Sequence, residues 1–189
     1  IEEYGNASFV TDEGYEGGHD QGTFTTSWSP WIRARNDDRA LQFIKTMRDR
    51  IWQGYHENDW WYHGYWRMQE AHHGTEHFEL FLGEVWRLAP DDTDTVEQFV
   101  DAAEHFGNWS PDVPDWFDWD TGLYKAFHFG TDGVLKDPGE EFNRPDHFRC
   151  VNIAMLAWWM TQNERYLELA DAHAGRWADA ILDGSELPM

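Results

Sequence analysis

The stretch Asp146-His147-Phe148-Arg149-Cys150-Val151-Asn152-Ile153-Ala154-Met155-Leu156-Ala157-Trp158-Trp159-Met160-Thr161-Gln162-Asn163-Glu164-Arg165-Tyr166 reads as a helix, a two-residue turn and a second helix. The first helix is apolar nearly all round, which predicts burial on most sides. Beyond Asn163, a residue suited to an N-cap, the pattern becomes amphipathic. Tyr166, Ala170, Ala174, Trp177 and Ile181 form one stripe at helical spacing, with charges opposite. A link this short makes an antiparallel neighbour.

The same unit recurs upstream. His19-Asp20-Gln21-Gly22-Thr23-Phe24 and His72-His73-Gly74-Thr75-Glu76-His77-Phe78 each open an apolar helical run. Each run meets a short polar turn, at Arg35-Asn36-Asp37 and at Ala89-Pro90-Asp91-Asp92, and then a second helix. Asp37 and Asp91 or Asp92 are the expected N-caps. Helical hairpins are therefore expected over about 21–53, 73–107 and 147–182 within a single domain spanning 1–189, an internal repeat of stacked helices. The expected fold class is all-α: three antiparallel hairpins joined by long aromatic loops at about 54–71 and 108–145. One small β-hairpin is expected around Gly130-Thr131-Asp132-Gly133.

Short turns at one end and long loops at the other bring the openings of the odd helices to the loop end. Those openings, His19-Asp20, His72-His73-Gly74-Thr75-Glu76 and Asp146-His147-Phe148-Arg149, together with the Trp-rich loops, resemble the (α/α) toroid of many glycoside hydrolases and polysaccharide lyases. The resemblance implies inner helices aiming their N-termini at a cleft. It implies a carbohydrate-active enzyme acting on a polysaccharide or oligosaccharide, with lyase chemistry on an acidic glycan favoured over hydrolysis. Three hairpins are half of such a ring, so either further sequence or another chain completes it, or a second copy does, with homo-oligomer formation as the route, or the bundle stands open. A half-ring that only binds or assembles is the alternative.

Elimination on a uronate needs a cation at the substrate carboxylate, a base for the neighbouring C–H proton and an acid for the leaving oxygen. His19, Asp20, His72, His73, Glu76, Asp146, His147 and Arg149 are the catalytic candidates. Arg149 suits the first role, and a neutral imidazole suits the second. Trp60, Trp61, Tyr65, Trp66, Arg67, Glu70, Trp116 and Trp119 are the candidates for substrate binding, since aromatic faces stack on sugar rings. No cofactor is required by the sequence. His73-Gly74-Thr75-Glu76-His77 fits H-x-x-E-H, however, which makes His73 and His77 a candidate half-site for a divalent metal and metal-dependent hydrolysis a third reading.

The chain carries 36 Asp and Glu against 14 Lys and Arg, a net charge of -22. This argues against nucleic acid or an anionic membrane as partner, because phosphates would be repelled. Only Lys45, Lys125 and Lys136 are lysines. An acidic, Lys-poor surface resembles that of proteins from salt-loving organisms, and an extracellular, high-salt setting is expected. With 13 Trp, the chain has apolar groups enough for a core. Cys150, the one cysteine, is expected in that core.

Overall fold

A computed structural model describes residues 22–23, 26–139 and 143–188. The helix opening at His19 and Asp20 lies outside the described residues. Their helices include α1 (Ser29–Arg35), α2 (Asp38–Glu57), α3 (Ala71–Glu76, continued by a π-helical stretch His77–Leu82 and by Gly83–Leu88), α4 (Thr93–Phe106), α5 (His147–Thr161) and α6 (Glu164–Asp183). Seven short strands join them: β1 (Trp61–Tyr62), β2 (Tyr65–Trp66), β3 (Gln69–Glu70), β4 (Phe117–Asp118), β5 (Leu123–Tyr124), β6 (His128–Gly130) and β7 (Gly133–Val134).

The strands correct the all-α toroid expected from sequence. They form three small antiparallel sheets, β1–β2, β3–β6–β7 and β4–β5, so the fold is mixed α and β. The physical reason is the aromatic content of the long loops. A loop that packs indoles and phenols inward also buries its own amides, and those must find partners. The β6–β7 hairpin turns at Thr131-Asp132 where the sequence suggested, but β6 also pairs outward, with Gln69↔Phe129 and Glu70↔His128 opposite each other.

The chain divides into two compact units, Ile1–Trp61 with Glu76–Thr95, and Tyr62–Thr75 with Val96–Met189. In the first, Asp37 caps α2 by accepting from the Arg39 and Ala40 amides at 3.0 and 3.1 Å. Ala40, Ile44, Met47, Ile51 and Tyr55 form its buried face. Asp92 accepts from the Thr95 amide and hydroxyl at the start of α4. Arg48, only 2 % exposed, reaches the same carboxylate. It also meets Thr95 Oγ1 at 2.8 Å, Asp49 at 2.7 Å and Asp94 at 3.2 Å, while Lys45 adds a 2.9 Å contact to Asp92.

In the second unit α5 and α6 pack together around the turn at Gln162-Asn163, where Gln162 takes a left-handed backbone and Asn163 caps α6. The buried face of α6 is Tyr166, Leu169, Ala170, His173, Trp177 and Ala180. It is rotated from the expected stripe, and Ile181 is 64 % exposed. Two asparagines stand in for missing strands. Asn108 accepts from the Trp116 and Phe117 amides at 2.9 and 3.0 Å and donates to the Phe117 carbonyl at 2.5 Å. Buried Asn143 accepts from the Tyr124 amide at 3.0 Å and donates to its carbonyl at 2.5 Å. Phe117 and Tyr124 are themselves paired across β4 and β5.

Replacing Arg48 leaves Asp92 with Lys45 and Thr95 as partners, so the loss is expected below the cost of a fully broken buried ion pair, on the order of 2 kcal/mol. Chemical denaturation of Arg48→Ala is expected to show a loss of that size. A variant as stable as the parent would remove this network from the stabilising interactions.

Candidate functional site

The first turn of α3 and the first turn of α5 meet in the second unit. β3 leads directly into α3, and its pairing with β6 fixes where that helix starts, with the Ala71 amide donating to the Phe127 carbonyl at 2.9 Å. Beneath the turn lies the fully buried Tyr65 ring. A Cβ on Gly74 would stand 2.1 Å from the Tyr65 hydroxyl oxygen, so position 74 accepts no side chain. That close seat holds His72 and His73 on the outer side.

His72 is the hub. Its Nδ1 lies 2.9 Å from Asp146 Oδ1 and 2.9 Å from Arg149 Nη1. Protonated, Nδ1 donates to Asp146; deprotonated, it accepts from Arg149, which has only donors. The His72 and Asp146 side chains are 44 % and 35 % exposed, so the pair faces solvent. Beside it, His73 Nδ1 contacts the Glu70 carboxylate. His128 stands opposite Glu70 across the β3–β6 pair. Arg144 lies over the Phe127 ring at 3.9 Å.

The division between units falls inside the helix carrying His72, His73 and Glu76, and the spacing of those three is set by that one helix. One ligand atom from each lies within 4.8 Å of the other two, so the group can hold a metal ion.

Other candidates lie elsewhere. His77 is fully buried, with ring contacts to Tyr55, Trp61, Phe78 and Phe81. His73 stands in solvent and His77 among aromatic rings, so the two imidazoles do not face one ion as a ligand pair. His147 is also fully buried. Its Nε2 donates to the Ala126 carbonyl at 3.0 Å and its Nδ1 accepts from the Arg144 amide at 3.0 Å. Burial lowers its pKa and keeps it neutral. It stacks on Tyr124 with ring centres 4.9 Å apart. Both imidazoles are core residues.

The aromatic candidates divide in the same way. Trp61, Tyr65 and Trp116 are buried, and Trp116 donates its indole N–H to the Gly130 carbonyl at 2.9 Å. Trp60 and Trp66 are half-buried. Trp119 is 41 % exposed, with its indole N–H donating to the Gly107 carbonyl at 3.1 Å. Arg67 pairs with Asp132 at 2.9 Å and lies over the exposed Tyr62 ring. The phenols of Tyr65 and Tyr124 are pushed well up by burial, which removes them as bases near neutrality.

His128 and Asn143 are not singled out by the sequence, and Asn108 and His173 are not among its site candidates. His128 becomes visible only when β3 is known to pair with β6. His173 sat on a helix face whose rotation the stripe misjudged. No family model, curated protein sequence or solved structure matches the chain. None of the described helices is long and apolar enough to cross a membrane.

His173 gives a pH dependence. Its Nδ1 donates to the Gly122 carbonyl at 2.9 Å, and burial lowers its pKa from 6.5 to about 4. A lowered histidine pKa means the unfolded chain binds more protons between those values. Stability from this residue is complete above about pH 6.5 and falls as pH drops towards 4, by on the order of 3 kcal/mol. Denaturant midpoints measured from pH 7 to 4 should show that decline, and His173→Phe should flatten it. An unchanged slope in the variant would reject the assignment.

Proposed function

We propose that the chain is a carbohydrate-active enzyme domain that cleaves an acidic glycan by β-elimination, with His72, Asp146 and Arg149 at its centre. The observation supporting this is the single ring nitrogen of His72 within hydrogen-bond distance of both a carboxylate and a guanidinium on an exposed surface. An aspartate at Nδ1 fixes the tautomer and leaves Nε2 as the proton acceptor. Arg149, planar and always charged, is suited to the carboxylate of a uronate. Neutralising that carboxylate acidifies the adjacent C–H. His72 Nε2 takes the proton, the electron pair forms a C=C bond, and the glycosidic oxygen leaves. His73, held by Glu70, is assigned the proton donated to that oxygen. The exposed rings of Tyr62 and Trp119 offer faces for sugar stacking.

The assay is depolymerisation of polyuronates followed by the near-ultraviolet absorbance of the new double bond. His72→Ala and Arg149→Ala should each lower kcat/KM by at least about 10²-fold, the scale of losing a positioned acid–base group, with the far-ultraviolet dichroism unchanged. Full activity in both variants would sink the reading. New reducing ends without the chromophore would convert it to a hydrolase.

A further inference from the structure

We propose that His72, His73 and Glu76 form a binding site for one divalent transition-metal ion of the zinc class. His72 and Glu76 are four residues apart on α3, and His73 and Glu76 three apart, so the carboxylate reaches the side of the helix that carries both imidazoles. Their donor atoms already lie within 4.8 Å of one another. Ligand bonds to zinc are about 2.0–2.2 Å, so small side-chain rotations gather the three around one ion.

The surroundings carry the argument further than the three donors do. Each imidazole has a carboxylate at Nδ1: Asp146 at 2.9 Å for His72, and Glu70 in contact for His73. Metal-binding histidines characteristically give their second N–H to a carboxylate, which fixes the tautomer and turns the other nitrogen's lone pair to the metal. Here that arrangement occurs twice, on adjacent histidines, from two different elements. Glu76 within the group and Asp146 and Glu70 beside it offset both the ion's charge and the positive end of the helix. Two nitrogens and one oxygen select zinc, cobalt or nickel over calcium and magnesium, which take oxygen sets. Three protein donors leave a coordination position for a ligand from outside. Arg149 competes for His72 Nδ1, and a metal at Nε2 favours the state in which Nδ1 donates to Asp146.

This claim goes beyond the elimination reading and does not need it. A metal at these nitrogens takes the groups that elimination uses, so the two are alternative states of one site.

The test titrates the untagged full chain with Zn²⁺, and with Co²⁺ for its visible spectrum, and counts bound metal after dialysis. One ion per chain is expected. Glu76→Gln and His73→Ala should each weaken binding by at least about tenfold, and Asp146→Asn by about 10–100-fold through its hold on His72. Arg149→Leu, which disables uronate recognition, should keep the ion, so failure of one proposal is told from failure of the other. His77→Phe should keep it as well. Far-ultraviolet dichroism checks that each variant is folded. Substoichiometric metal in the parent, parental affinity in both Glu76→Gln and His73→Ala, or loss of the ion in folded His77→Phe would overturn the site.

Discussion

Buried backbone amides need partners, and that constraint shapes this molecule more than any helix does. The long connections carry so many aromatic residues that they fold inward, and their peptide groups follow. Two-residue strands satisfy some of them. Asparagine side chains satisfy others: Asn108 serves the outer edge at Phe117, and Asn143 does the same for Tyr124. An unpartnered buried amide costs about 1–3 kcal/mol, so these two side chains are structural elements in their own right. The aromatic layer they hold includes Tyr65, Trp116, Phe129 and His147, and α3 and α5 begin on top of it.

The candidate site inherits its geometry from that layer. His72 and Asp146 come from separate elements 74 residues apart in sequence, yet they meet at 2.9 Å. The Tyr65 ring beneath Gly74 seats one helix start, and the His147 ring against Tyr124 seats the other. The chemistry is thus carried by exposed neighbours of buried rings: His72 and His73 above Tyr65, and Asp146 and Arg149 on either side of His147.

Much of the helical framework was legible in the sequence, and for identifiable reasons. Helix α5 begins and ends where its apolar run does, and the caps at Asp37, Asp92 and Asn163 follow from side chains that compete for backbone amides. The sheets were not legible, because a two-residue strand has no period to read and its pairing is decided by residues far away. Burial was the other blind point. His72 and His147 look alike as openings of apolar helices, but only the structure shows that one faces solvent and the other lies under three aromatic rings. Trp61 and Trp116 resemble Trp119 in the same sense, since an indole in a loop fits a sugar face or a core equally well.

The π-helical stretch between His77 and Leu82 carries a last implication, for how this chain would align with any relative. Widening the turn from four to five residues takes in about one residue more than a regular helix over the same rise. A cousin whose third helix winds normally would therefore show a single-position gap in the middle of that helix, with no loop to absorb it. Across the gap the inward-facing positions would shift by one, and the aromatic cage around His77 would be rebuilt from different places in the chain.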